Sequence, residues 1–390
     1  MRNIPQYVCG VIPPHILTRV AERTDDAAQD DARATLEQMR ELATGRARTL
    51  IEGSPAAAAS DVTRKRRNVY DARHQHRLPG KLAMSEHKPR SEDIEVNEAY
   101  DGSGATYDFY AQLFGRRSID GKGMRLDSTV HYGTRFENAM WNGRQMVYGD
   151  GDGRIFNRFT ASLDVIGHEL THGVTQFSTA LGYSGQTGAL NEHLSDASGI
   201  MVKQYKLGQS ASESDWIIGA ELFGPAVNGK GVRSMAAPGT AYDDPILGRD
   251  PQPSHMRDYV HTVEDNGGVH INSGILNHAF YRAAMAIGGK TWHVLGKIWY
   301  VALTERLTPE ADFADFARAT TDIAGELYGN GGEVQRIVAG AWSDVGLKVP
   351  LFGCGSASHS ASVRRRARPR VGQPNAAGRP GSKWRQRPAR

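Results

Sequence analysis

The sequence predicts an α+β fold, with a β-rich N-terminal part followed by a helical C-terminal part. Two observations carry this. Residues 68–160 are rich in Gly, Tyr, Val and Thr and are broken by short turns, which reads as a set of strands. From residue 161 onward, apolar side chains recur at helical spacing. They do so first over 161–206, as two helices joined by a Gly-rich loop, then over 272–287, 291–305, 310–328 and 332–345.

The flanking segments read differently. Pro13-Pro14 opens an early helical pattern with Ile16, Leu17 and Val20, continued by Leu36, Met39 and Leu42. Gly53, Pro55, an Ala run and the basic Arg64-Lys65-Arg66-Arg67 then suggest a linker open to proteolysis. After Val349-Pro350 the chain turns to Ser, Ala, Arg, Pro and Gly, the composition of a disordered tail. The expected parts are a short leading segment at 1–60, a basic linker at 61–67, strands at 68–160, helices at 161–349 and a basic tail at 350–390.

Composition excludes several functions. The chain is 39% hydrophobic and 23% charged, with no apolar window near the ~20 residues of a membrane span. Two cysteines, Cys9 and Cys354, exclude a disulfide scaffold. The net charge of +4 is misleading. Residues 355–390 hold ten Lys and Arg and no acid, so the first 354 residues carry −6. An acidic body argues against nucleic-acid binding, and the tail has one aromatic residue, Trp384. The first fifteen residues contain no continuous apolar leader.

The chemistry is concentrated in three strings. The first is His168-Glu169-Leu170-Thr171-His172, flanked at helical spacing by Leu163, Ile166, Val174 and Phe177. Residues i and i+4 share a helix face, so His168 and His172 can offer two ring nitrogens to one zinc ion at ~2.0–2.1 Å. Glu169 lies about 100° around the axis, beside the metal, where a general base belongs.

The second string runs from Gly188 to Asp196 on the next helical pattern. Glu192 follows His172 by twenty residues, so a helical return brings its carboxylate to the two histidines. Two His and one Glu leave a fourth zinc position open, the catalytic arrangement. Asp196, one turn beyond, is placed to accept the second ring N–H of His168. The third string is Asp265-Asn266-Gly267-Gly268-Val269-His270, a tight turn before a helix. There His270 could donate to a developing oxyanion with Asp265 behind it, although spacing alone does not establish this.

These strings resemble the thermolysin-like metallopeptidases. The resemblance extends to Asn138-Ala139-Met140-Trp141-Asn142-Gly143, Tyr148-Gly149-Asp150-Gly151-Asp152-Gly153 and Arg233-Ser234-Met235, and covers roughly residues 68–348. Ile12-Pro13-Pro14-His15-Ile16-Leu17 resembles the short propeptide of the protealysin-like branch. The resemblance implies a thermolysin-like zincin fold, β-rich then helical, with the active-site cleft between the two parts. It implies a zinc endopeptidase made as a zymogen, cutting before bulky apolar residues. It assigns one zinc to His168, His172 and Glu192, the general base to Glu169 and the oxyanion donors to His270 and Tyr183, with Asp265 orienting His270. Asn138, Ala139, Trp141 and Arg233 would hold the substrate. Phe156, Phe159, Val165 and Val232 fall at the specificity pocket. Expected partners are peptide substrates and the chain's own propeptide as inhibitor. The expected state is a secreted monomer, with cytoplasmic accumulation left open.

The family's double calcium site is in doubt here. Asp164 and Asp215 are present, but Lys203, Ile217 and Ala220 stand where acids are expected. Asp164 shares a stripe with His168 and His172, and Lys203 shares one with Glu192 and Asp196. Either Lys203 replaces calcium by pairing with Asp164, or it is solvent-exposed. The competing functional class is a non-catalytic metal-fold binding protein acting through its basic tail. The presence of Glu169, Tyr183 and His270 beside the ligands argues against it.

Overall fold

The computed structural model describes residues 10–52, with side chains to residue 42, and residues 64–350. Cys9, Cys354, the core of the linker and the basic tail lie outside the described residues. The N-terminal segment begins as extended chain and forms α1 (Pro14–Arg23), with Pro14 at the first helical position, then α2 (Ala27–Glu52). Strand β1 (Arg67–Asp71) follows, then β2 (Lys81–Ser85), α3 (Ile94–Phe114), β3 (Leu126–Val130), β4 (Ala139–Trp141) and β5 (Met146–Tyr148). These strands form one sheet in the order β2-β1-β3-β5-β4. β1, β3 and β5 run parallel, and the two edge strands are antiparallel.

Two features differ from the sequence expectation. The strand-rich part contains the 21-residue helix α3. Its buried face includes Gly102, Ser103, Gly104, Ala105 and Thr106, small residues that do not advertise a helix. Asp93 caps it by accepting from Glu95 N, and Gly115 ends it with φ 65°. The basic linker, drawn to residue 67, is already anchored before its end. Lys65 pairs with Asp108, Arg66 donates to Gly123 O, and Arg67 lies in β1 and binds both oxygens of Glu86.

The C-terminal part is helical. It comprises α4 (Leu163–Gln176), α5 (Gly185–Leu207), α6 (Asp265–Ile287), α7 (Thr291–Val301), α8 (Phe313–Tyr328) and α9 (Glu333–Asp344). A long connection between α5 and α6 carries the short pairs β6 (Ile217–Ile218) with β7 (Arg233–Ser234) and β8 (Asp243–Asp244) with β9 (Gly248–Arg249). α4 is buried from Asp164 to Thr175, so it is a core helix and not a surface one. α4 and α5 touch backbone to backbone. A Cβ on Gly199 would stand 2.3 Å from Asp164 O, so only glycine allows this approach. Among the described residues, no helix is long and apolar enough to cross a membrane.

Candidate active site and metal centre

α4 presents His168 and His172 one turn apart, and their Nε2 atoms stand 3.1 Å from each other. α5 returns antiparallel, as its pairings show. Glu192 Oε1 is 3.3 Å from His172 Nε2, Glu192 Oε2 is 3.5 Å from His168 Nε2, and Asp196 lies beside His168. All four side chains are buried. Among the described residues Glu192 Oε2 has no hydrogen-bond partner, although it faces imidazole nitrogens of His168 and His270. Two imidazole nitrogens and a carboxylate converging at these distances fit a zinc ion.

The outer nitrogens of the ligands are held in turn. Asp196 Oδ1 lies 2.8 Å from His168 Nδ1. The same carboxylate receives both Nε and Nη2 of Arg233 and the amide of Asn277. Burial would raise the Asp196 pKa, but Arg233 and His168 hold it well below the usual carboxylate range. His172 Nδ1 meets Asn191 Oδ1 at 3.0 Å and Ser195 Oγ at 3.2 Å. Sequence reasoning missed Asn191, Ser195 and Asn277. Asn191 and Ser195 flank Glu192 on α5, and i±3 neighbours of a ligand are the signal that could have found Ser195.

Glu169 is buried beside the centre. Its Oε2 accepts from Trp141 N at 2.8 Å, and its Oε1 is 3.9 Å from His168 Nε2. The hydroxyl of Tyr183 donates to Glu192 Oε1 and lies 3.4 Å from His270 Nε2. α6 begins in a kink, with φ values of 52°, 88° and 75° at Asn266, Gly267 and Gly268. This turn folds Asp265 back onto His270. Asp265 Oδ1 reaches His270 Nδ1 at 2.6 Å, and Oδ2 accepts from His270 N at 2.8 Å. Burial lowers the His270 pKa, yet Asp265 and Glu192 outweigh it and carry it up to about 9. Gln252, which the sequence did not single out, donates to His270 O.

Asn138 and Ala139 lie at the start of the edge strand β4 and already have peptide partners. Ile12 N donates to Asn138 Oδ1 at 3.0 Å, and Asn138 Nδ2 donates to Ile12 O at 2.9 Å. Val11 N donates to Ala139 O at 3.1 Å, and Arg233 Nη1 donates to Val11 O at 3.1 Å. Residues 11–12 thus lie against residues 138–139, held by one main-chain bond and by the Asn138 side chain. Phe156, Phe159, Val165 and Val232 are all buried, and the two phenyl rings stand 6.1 Å apart. Trp141 is buried as well, its ring N–H on Gln176.

Away from the centre, Lys203 is buried. Its Nζ lies 3.2 Å from Asp164, 2.9 Å from Asp215 and 4.0 Å from Glu221. Burial would lower the ammonium pKa, but these carboxylates hold it above its usual range. Of the two readings of Lys203, the exposed one is not what the structure has.

A buried His-Glu-His helix with a further carboxylate converging on its two imidazoles is the arrangement of a metallohydrolase. Comparison with known proteins makes this specific. Residues 51–176 match the family model for the thermolysin metallopeptidase catalytic domain, and residues 179–347 match the model for its alpha-helical domain. The chain is 50% identical over 346 residues to an extracellular metalloprotease of Pectobacterium carotovorum, covering 88% of this chain and 97% of that one. It is 39% identical over 290 residues to thermolysin of Alicyclobacillus acidocaldarius, covering 72% of this chain and 50% of that one. Its fold superposes on the precursor of protealysin, a metalloproteinase from Serratia proteamaculans, with TM-score 0.79 and 48% identity, covering 87% of this chain and 99% of that one. The chain belongs to the thermolysin metallopeptidase family. It is a metalloendopeptidase of α+β fold, and His168, Glu169 and His172 carry the zinc motif of that family.

Proposed function

We propose that this chain is a zinc endopeptidase made with an internal inhibitor, its N-terminal segment, and that it cuts before bulky apolar residues. One observation carries the reading. The main chain of residues 11–12 occupies Asn138, Ala139 and Arg233, the groups assigned to substrate, next to a centre with a base and oxyanion donors in place.

The residues divide the work. His168, His172 and Glu192 would hold the zinc, which supplies Lewis acidity and lowers the pKa of water to about 7. Glu169 takes the proton from the attacking water and returns it to the leaving amine. His270 and Tyr183 donate to the oxyanion as the carbonyl becomes tetrahedral, and one such donor contributes about 3–4 kcal/mol. Asp265 keeps His270 oriented and charged. Phe156, Phe159, Val165 and Val232 offer apolar surface to the side chain that follows the cut. Secretion is proposed from the relatives described as extracellular.

The inhibitor reading is tested by loosening the segment. Ile12 is fully buried, and an aspartate there would be an unpaired buried charge. Ile12→Asp is expected to raise the initial peptidase rate of the uncut chain at least about tenfold, with a chelator abolishing activity in both forms. Equal rates for the uncut wild type and the variant would overturn inhibition. Activity that survives the chelator would overturn the metal mechanism.

Lys203 is proposed to stand in for calcium by neutralising Asp164 and Asp215. The unfolding midpoint is then expected to be the same in chelator and in millimolar calcium. Lys203→Met should destabilise the protein by ~3–5 kcal/mol, because Asp164 is left buried and unpaired. A midpoint that rises with calcium in the wild type would contradict the substitution.

A further inference from the structure

A second group of metal-binding side chains sits in the β-rich part. β1, β3 and β5 are parallel neighbours, and each is followed closely by one member: His74, His131 and Asp150. The start of α3 supplies two more, its cap Asp93 and Glu95 in the first turn. Ligand atoms of His74, His131 and Asp150 all lie within 4.8 Å of one another.

The catalytic centre calibrates the spacing, since its proposed ligand atoms stand 3.1–3.5 Å apart. Ligands at about 2.1 Å around a tetrahedral ion are roughly 3.4 Å apart. In the second group, His131 Nδ1 is 3.0 Å from Asp150 Oδ1 and 3.9 Å from Glu95 Oε2, and His74 Nδ1 is 3.3 Å from Asp150 Oδ2. The backing is repeated too. His131 Nε2 lies 2.7 Å from Asp93, as His168 Nδ1 lies 2.8 Å from Asp196.

A separate observation concerns Glu95. Its Oε2 is buried with no hydrogen-bond partner among the described residues, and its carboxylate converges with those of Asp150 and Asp93 on the single ring of His131. Facing carboxylates need a cation or shared protons between them.

We propose that His74, His131, Asp150 and Glu95 form a second metal site, taking zinc or a similar divalent transition ion, with Asp93 orienting His131. Two imidazole ligands select such an ion over calcium or magnesium. His74 is more than half exposed and gives the ion a way in. The site ties the ends of three strands to α3, just before the loop that leads to Asn138. Its role is structural, and the reaction does not pass through it.

The test counts metal. The full chain is equilibrated with micromolar zinc, freed of excess, and its zinc content measured, with thermal unfolding confirming that each variant is folded. Wild type should hold two zinc per chain. His74→Gln and Glu95→Gln should each hold one, and Glu192→Gln should also hold one, having lost the catalytic ion. The double variant His74→Gln/Glu192→Gln should hold none. One zinc in the wild type, lost in Glu192→Gln and kept in His74→Gln, would overturn the proposal and leave His131 as an imidazolium between two aspartates. A second equivalent that survives both His74→Gln and Glu95→Gln would lie elsewhere and overturn it equally.

Discussion

Glu169→Gln is expected to keep zinc and to lose peptidase activity by about 10²–10⁴-fold or more. The carboxylate is proposed as the base beside the ligand set, not as a ligand. Its Oε1 is 3.9 Å from His168 Nε2, while His172 and Glu192 close on each other at 3.3 Å. A glutamine keeps the volume and can still accept the Trp141 N–H, so the buried pocket is not disturbed. It cannot take a proton at neutral pH. Zinc content and casein hydrolysis measured on the same sample separate binding from catalysis. Near-normal hydrolysis would sink the base assignment. Loss of zinc together with activity would mean that Glu169 is structural.

Asp196→Asn is expected to act on two properties at once. One carboxylate joins His168, both donors of the Arg233 fork and Asn277, all without access to water. Removing its charge leaves the Arg233 guanidinium buried and uncompensated, a loss of ~3–5 kcal/mol. It also frees the His168 ring, and zinc affinity should fall about 10–100-fold. Denaturant unfolding reads the first effect, and competition with a chelator reads the second. Unchanged zinc affinity in a destabilised protein would show that Asp196 serves the fold alone. Because Arg233 also holds Val11 O, the N-terminal segment should bind less tightly in this variant.

The metal helix was legible because helical geometry is rigid. Once His168 and His172 share a face, the return of α5 places Glu192, Asp196 and Lys203, on one face of that helix, beside His172, His168 and Asp164. Residues whose role depends on chain-distant packing were not legible. Asn277 reaches Asp196 from a helix 81 residues away, and a lone asparagine has no spacing signature. α3 was missed for a related reason. Its small residues are chosen by neighbours, not by helix propensity. A Cβ on Gly104 would fall 2.1 Å from Arg67 Nη1, so that glycine makes room for a guanidinium. The same contact ties the last residue of the basic run into the fold. Arg67 stacks 3.6 Å over the Tyr100 ring and is held by Glu86.

Lys203 has a consequence for where such an enzyme can work. Stabilisation by a bound ion grows with the logarithm of that ion's concentration and fades in dilution or in the presence of chelators. A cation attached to the chain has no concentration to lose. With Lys203 in the role proposed for it, the α4–α5 junction is expected to be equally firm in a mineral-poor fluid and in a calcium-rich one. On that proposal, this junction does not draw its stability from dissolved calcium.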